Sequence, residues 1–106
     1  MARYRLITLV NAKNGREAEM NDWYDNQHVP DLLTIPGVVA AQRFRVCNAV
    51  APAEPLFRYM NVFEVEADDP MAVLAEIRKS GFPLVDAFEL VSMAIYEPHA
   101  ERVTAG

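Results

Sequence analysis

The amino-acid sequence predicts an α+β fold, in which four strands form one antiparallel sheet and two helices cover one of its faces. Three observations predict it. The chain has 106 residues, which suits one domain. Strand-like and helix-like hydrophobic patterns follow one another in the order β-α-β-β-α-β, which is the split-βαβ or ferredoxin-like pattern. Hydrophobic residues make up 52% of this short chain, which indicates a second buried surface, most simply one between two copies.

The first half of the chain predicts a strand, a turn and a helix. The strand spans Tyr4–Ala12, where the apolar run is nearly continuous and both faces are expected to be covered. Asn14-Gly15 gives the turn, and the helix runs from about Gly15 to His28. Pro30 disfavours helical geometry in the residue before it and is expected to break or kink the helix.

Three further strands and a second helix complete the predicted order. The strands span Val38–Cys47, Phe57–Glu66 and Glu89–Glu97. The helix runs from about Pro70 to Ser80, with Asp69 as its N-cap. A single domain is therefore expected over residues 1–98, followed by a C-terminal tail over residues 99–106.

Composition and motifs argue against several classes of function. Fifteen acidic and ten basic residues give a net charge of −5 without a basic stripe, so no nucleic-acid partner is expected. No apolar run approaches the roughly 20 residues that span a bilayer, and no signal-peptide pattern is present, so no membrane and a cytoplasmic location are expected. The histidines, His28 and His99, are too far apart for metal-ligand spacing, and no glycine-rich phosphate loop occurs. Neither metal nor cofactor is expected, and Cys47 is best explained as a small buried hydrophobe.

His28 is the first candidate for acid-base chemistry, because imidazole titrates near neutral pH without a large pKa shift. It lies at the end of a helix that also carries Trp23 and Tyr24, and Tyr24 shares a face with it at i, i+4 spacing. Those aromatic rings are candidates for the wall of a substrate pocket. Asp25 or Asp31 could pair with His28 and raise its pKa. The alternatives are a histidine bonded to backbone carbonyls, core aromatics and solvated aspartates.

The strands add three candidate substrate-binding residues. Arg43 lies in the middle of a strand expected to be buried on both faces, so it needs a partner. That partner is either a substrate carboxylate or a glutamate of a second copy, Glu64 or Glu66. Tyr59 and Asn61 are the polar groups expected in a mainly apolar pocket, or else a tyrosine edge and an asparagine satisfied at an interface.

The stretch Trp-Tyr-x-x-x-His-x-Pro-x-Leu-Leu at positions 23–33, followed by Pro-Gly-Val at 36–38 and Ala-Gln-Arg-Phe at 41–44, resembles the dimeric α/β-barrel superfamily, and most closely its EthD-like branch. The resemblance extends over about Tyr4 to Pro98. It implies that two sheets from two chains close into a barrel, with a pocket between sheet and helices in each subunit. Haem-degrading members carry an iron-ligating histidine on the second helix, and this helix has none.

The residues and the resemblance together predict a small cofactor-independent enzyme that acts on a hydrophobic aromatic or polyketide-like oxygenated metabolite by proton transfer. Dehydratase, isomerase, cyclase and decarboxylase reactions all fit. The alternatives are a cofactor-free monooxygenase of the same fold, a non-catalytic small-molecule-binding or stress-response module, and a regulatory ligand domain. A homodimer is expected in each case.

Overall fold

The computed structural model describes residues 2–106 and contains the elements in the predicted order. Helix α1 continues without a break through a π-helical segment into α2. The elements are β1 (Ala2–Ala12), α1 (Glu17–Trp23), the π segment (Tyr24–His28), α2 (Val29–Leu32), β2 (Val38–Arg45), β3 (Tyr59–Ala67), α3 (Pro70–Lys79) and β4 (Phe88–Tyr96).

The four strands form one antiparallel sheet in the order β2-β3-β1-β4, which confirms the predicted α+β, ferredoxin-like fold. The helices pack against one face of this sheet, called here the helix face. Two buried clusters fill the space between the layers. One contains Leu6, Leu32, Ile35, Val38, Phe63, Val65 and Val73, and the other contains Val10, Met20, Tyr24 and Ala87.

Side chains alternate regularly between the two faces along β3, but the alternation changes partway along β2. In β3, Asn61 and Phe63 lie on the helix face, as their burial shows. In β2 the register shifts between Val38 and Ala40, and the bulge reverses the alternation. As a result Val38 shares the helix face with Arg43, although residues five positions apart lie on opposite faces of a regular strand.

Pro30 does not end the helix; the helix widens just before it. The backbone N–H of Val29 donates to the carbonyl of Tyr24, five residues back, which is π-helical bonding. Proline has no N–H and its ring crowds the carbonyl four residues earlier, so a wider turn relieves the conflict. Pro30 then occupies the first turn of α2, where a proline is tolerated.

The opposite face of the sheet, called here the outer face, carries an apolar patch on which no helix within residues 2–106 packs, and the C-terminal residues border this patch beside Ile7 and Val39. Strands β1 and β3 place alternate apolar side chains on it, and β2 adds two more that are exposed. The apolar residues on this face are Ile7, Leu9, Val39, Phe44, Met60 and Val62.

Most strands and helices begin and end within two residues of the predicted positions. Asp69 is the N-cap of α3, and its carboxylate accepts a hydrogen bond of 2.9 Å from the N–H of Met71. Residues 97–106 form no helix or strand. No helix in the described part of the chain is long and apolar enough to cross a membrane.

Candidate functional site

Four aromatic rings meet where the π segment packs against the start of β4. The indole of Trp23 stacks on the imidazole of His28, with ring centroids 4.4 Å apart and planes inclined by 19°. Trp23 also stacks on Phe88 at 5.3 Å, and Tyr24 meets His28 edge-on at 5.5 Å. Trp23 and His28 are five residues apart, so their stacking depends on the π-helical turn. The rings form one continuous aromatic group.

His28 is partly buried in this group, and its environment favours the neutral imidazole. Burial lowers the pKa of His28, and the negative charge of Asp31 offsets only part of that effect. Of the alternatives that the sequence left open, a net increase in the pKa by a paired aspartate is therefore not what the structure shows. Its Nδ1 atom is buried and has no hydrogen-bond partner among residues 2–106. A neutral imidazole can accept a proton, which a histidine already charged could not.

Asp25 does not pair with His28; it pairs with Arg43. Nη1 of Arg43 lies 2.8 Å from a carboxylate oxygen of Asp25, and Nη2 donates to Oδ1 of Asn21 at 2.8 Å. Its Nε donates to Oδ1 of Asn61, also at 2.8 Å. The guanidinium carbon lies 4.6 Å from the centre of the Tyr24 ring. The charge of Arg43 is therefore balanced inside the chain, by a partner that the sequence pattern had not indicated.

The network continues on both sides of Arg43. The hydroxyl of Tyr59 donates to the carboxylate of Glu17 and accepts from Nδ2 of Asn21 at 3.2 Å. Asn61 is fully buried and donates from its Nδ2 to the hydroxyl of Thr8 at 3.0 Å. All side-chain atoms of this buried asparagine that can form hydrogen bonds thus face a polar partner.

The phenol of Tyr24 extends from the helix layer to the side chains of Thr8 and Asn61. Burial raises its pKa to about 12, although Arg43 and hydrogen bonding with Thr8 and Asn61 act in the opposite direction. The phenol therefore keeps its proton at neutral pH and is a hydrogen-bond donor. The hydroxyls of Tyr24 and Thr8 and the amide of Asn61 form a small polar group under the aromatic rings.

The helix layer leaves an opening above this polar group. Residues directly opposite each other in an antiparallel pair lie on the same face, and Met93 is opposite Thr8 while Leu90 is opposite Val10. Val10 is fully buried beneath the helices, yet Leu90 and Met93 are 51% and 44% exposed. Thr8 is itself partly exposed although it lies on a central strand. A molecule entering here would touch apolar side chains first and the polar group beneath them.

Two clefts lie elsewhere on the molecule, and His28 lines neither of them. One of about 1220 Å³ lies between the outer face and the C-terminal residues, beside Arg5, Ile7 and Glu64. The other, of about 290 Å³, lies beside Lys13, Glu17 and Tyr59. The candidate site is therefore an open gap between the helix layer and β4, separate from both clefts. No three His, Cys, Asp or Glu residues come together as metal ligands within residues 2–106.

The structure brings His28, Trp23, Tyr24, Arg43 and Asn61 together, and it also contains participants that the sequence pattern did not indicate. Tyr59 joins the network through hydrogen bonds with Asn21 and Glu17 and through its ring, which lies 5.6 Å from the guanidinium carbon of Arg43. Three residues were missed: Thr8, Asn21 and Phe88.

A signal for one of the missed residues does exist in the sequence. Glu17, Asn21 and Asp25 recur at i, i+4 spacing and form a polar stripe beside the apolar stripe of Met20 and Tyr24. A polar stripe next to the buried side of a helix needs partners in the sheet. Thr8 gave no comparable signal, because it stands within an apolar run that reads as core.

Comparisons with known proteins identify the fold. No family profile and no curated protein sequence matches the chain. Among solved structures, the chain is similar to a protein from Shewanella loihica PV-4 described as a "putative monooxygenase", with a TM-score of 0.66 and 16% identity over 94% of this chain and 97% of that chain. It is also similar to HapK from Hahella chejuensis, with a TM-score of 0.59 and 16% identity over 97% and 99% of the two chains.

A third similar structure carries the family description that the sequence motif suggests. It is an ethyl tert-butyl ether D (EthD) family protein from Bacillus halodurans C-125, with a TM-score of 0.53 and 16% identity over 92% of this chain and 99% of that chain. The class defined by fold and site is thus a small ferredoxin-like α+β domain with an aromatic and polar group under its helices. Within that class, the predicted resemblance to the EthD-like branch is confirmed at the level of the fold.

Proposed function

We propose that the protein is a small cofactor-independent enzyme that moves a proton on a hydrophobic aromatic or polyketide-like oxygenated metabolite, with His28 as the base. The observation that carries this proposal is the environment of His28. Burial lowers the pKa of its imidazole and so favours the neutral form, and the ring stacks on Trp23, which stacks in turn on Phe88 at the start of β4. A neutral imidazole can accept a proton as a general base.

The surrounding groups support a reaction through an enolate. His28 takes a proton from a carbon next to a carbonyl, and the electron pair moves onto the carbonyl oxygen. The protonated phenol of Tyr24 lies edge-on to the imidazole and donates a hydrogen bond to that developing charge. Since Nδ1 of His28 is buried, Nε2 is the nitrogen that a bound molecule can reach. Dehydration, isomerisation and cyclisation all fit this sequence of steps, whereas a decarboxylation would form the enolate by breaking a carbon–carbon bond instead.

The proposal is tested by finding a ligand and then removing the base. A panel of aromatic and lactone metabolites is screened for thermal stabilisation, because a ligand stabilises the folded state by mass action. For compounds that bind and turn over, we expect His28→Gln to lower kcat by about 10²- to 10⁴-fold, the usual contribution of a general base. His99→Gln is the matched control, because His99 is exposed beyond the last strand. Unchanged turnover in His28→Gln would mean that His28 is not the base, and compounds that bind without any turnover would instead favour a non-catalytic binding module.

The place of binding is tested separately by filling the opening. Met93→Trp adds bulk at a side chain that is 44% exposed above the polar group, so it should weaken ligand binding while leaving stability nearly unchanged. Met71→Trp places the same bulk on an exposed position of α3 and serves as the control. If both variants bind ligand as well as the parent chain does, the opening is not the binding site.

Cofactor-free oxygenation is the second candidate, supported by the similarity in fold to the protein from Shewanella loihica described as a "putative monooxygenase". Such a reaction also begins with a substrate carbanion, so His28 would have the same role. Consumption of dioxygen during turnover distinguishes the two. Oxygen uptake matching product formation favours oxygenation, and turnover under strictly anaerobic conditions favours proton transfer alone.

A homodimer formed through the outer face belongs to the same proposal. Phe44, Met60 and Val62 are among six apolar residues there on which no helix of the described chain packs. A contiguous apolar patch of this kind is typical of an interaction surface. We expect sedimentation to show a dimer at micromolar concentration and Phe44→Glu to convert it to a monomer. A stable monomeric parent chain would contradict this expectation.

A further inference from the structure

We infer that Thr8 and Tyr24 together form a receptor for one uncharged carbonyl oxygen of the substrate, and that Arg43 is a positioning residue that orients this receptor through Asn61. The inference rests on the proposed function, because it concerns the same opening, and it assigns the oxygen-binding end of that site. It also states a preference in substrate class, for ketones, quinones or lactones over carboxylates.

The direction of the hydrogen bonds fixes what Thr8 can do. Nε–H of Arg43 can only donate, so the atom of Asn61 that faces it, at 2.8 Å, must be the amide oxygen. The amide nitrogen of Asn61 must then face Thr8, and it donates to the threonine hydroxyl at 3.0 Å. A hydroxyl that accepts this bond keeps its own proton to donate. Arg43 therefore fixes the orientation of the Asn61 amide and leaves the proton of the Thr8 hydroxyl for another acceptor.

Tyr24 supplies the second donor. Its phenol lies within hydrogen-bonding reach of the Thr8 hydroxyl and the Asn61 amide, and it remains protonated at neutral pH. Because these two hydroxyls lie within hydrogen-bonding reach of each other, a carbonyl oxygen accepts from both by taking the place of the bond between them. A carbonyl oxygen accepts both bonds, and it gains charge when the neighbouring carbon loses a proton.

The charge of Arg43 is not available to the substrate. Its three donor nitrogens bond to Asp25, Asn21 and Asn61, and its side chain is only 15% exposed. The sequence pattern alone had left a substrate carboxylate as one of its candidate partners. With its donors occupied and its charge paired with Asp25, Arg43 adds no free cation to the opening, so a carboxylate there would lack a counter-ion.

The test uses three probes that share one ring system and differ in a single substituent: 2-acetonaphthone, naphthalene and 2-naphthoate. Binding to the intact protein is measured by equilibrium dialysis. We expect the ketone to bind more tightly than naphthalene by about three- to tenfold, the effect of one or two net hydrogen bonds. We expect 2-naphthoate to bind more weakly than the ketone.

Thr8→Val tests whether Thr8 acts as a hydrogen-bond donor or has only a structural role, because valine has nearly the same shape as threonine but no hydroxyl. We expect Thr8→Val to reduce the preference for the ketone over naphthalene, since only the Tyr24 donor remains, while naphthalene affinity stays the same, and we expect Thr8→Ser to restore the preference. Thr34→Val removes a threonine hydroxyl that donates to Asp31 outside the opening, and should change neither affinity. Arg43→Met should reduce the ketone preference as Thr8→Val does, at a temperature where circular dichroism shows it to be folded.

Several results would overturn the inference. If Thr8→Val lowers the affinity for the ketone and for naphthalene by the same factor, Thr8 has only a structural role. Tighter binding of 2-naphthoate than of the ketone would reveal a free cation in the opening. If none of the probes binds, both the oxygen receptor and the proposed function are wrong. If the ketone preference depends on Thr8 but His28→Gln leaves turnover unchanged, the receptor stands and the proposed reaction is wrong.

Discussion

Replacing Arg43 by methionine should destabilise the protein by about 3 kcal/mol, even though Arg43 belongs to neither apolar cluster. Methionine keeps much of the aliphatic packing of the arginine stem but removes its charge and all its donors. The largest loss concerns Asn61, which is fully buried and whose Oδ1 would lose the donor at 2.8 Å. A buried acceptor without a partner costs about 1–3 kcal/mol.

Two smaller losses add to this one. The ion pair with Asp25 contributes only about 0–1 kcal/mol, because the Asp25 side chain is 60% exposed and water replaces the guanidinium. The cation–π contact with the ring of Tyr24 contributes about 0.5–1 kcal/mol. Together the three effects give a destabilisation of about 3 kcal/mol, dominated by the unsatisfied amide and not by the charge pair.

Urea unfolding followed by circular dichroism measures the change, with all variants at one protein concentration because dimerisation would contribute to stability. Arg78→Met, at an exposed position of α3, is the control and should stay within about 0.5 kcal/mol of the parent chain. The double variant Arg43→Met/Asn61→Leu should be less destabilised than the sum of its two single variants, because both partners of the lost bond are then apolar. Arg43→Met behaving like Arg78→Met would refute the reasoning.

Three further predictions concern pH, a glycine and a helix cap. Since burial lowers the pKa of His28 below 6.5 in the folded state, the unfolded chain takes up that proton first as the pH falls. The free energy of unfolding should therefore decrease below about pH 6.5. When it is measured by urea unfolding at several pH values, His28→Gln should lessen this decrease, whereas His99→Gln should retain the part that comes from His28. A β-carbon on Gly37, where φ is +98°, would lie 3.0 Å from a valine methyl and 3.2 Å from a carbonyl oxygen. Gly37→Ala should thus cost about 1–3 kcal/mol more in thermal or urea unfolding than Gly15→Ala, which has free space around it. Asp69→Ala should cost about 1 kcal/mol by loss of the N-cap, and a value near zero would contradict the capping role.

The fold could be predicted from local patterns because each element carries its own signal. Period-two alternation defines β3, and the Asp69-Pro70 pair marks the start of α3. The order of these elements alone leads to the ferredoxin-like sheet, whose strand order is confirmed. The bulge in β2 could not be foreseen, because nothing in its sequence distinguishes Val39 from its neighbours.

The candidate site was only partly predictable, because its partners are distant in sequence. His28, Trp23 and Tyr24 lie within one helical stretch, so their proximity could be inferred from spacing. The pairing of Arg43 with Asp25 joins residues 18 positions apart and depends on which side of the sheet the helix covers. The direction of the pKa shift of His28 depends on burial, which outweighs the nearby carboxylate that the sequence made conspicuous.

The π segment also determines how the parts of the site can move relative to one another. Helix α2 has only four residues, far below the length at which a helix holds together by itself, and the packing of Leu32 keeps it in place. The segment thus connects the seven-residue helix α1 to the four-residue helix α2. Tyr24 lies at its anchored end within the core, whereas His28 lies at the end joined to α2. Small displacements of α2 therefore change the distance between the imidazole and the phenol while the fold stays intact.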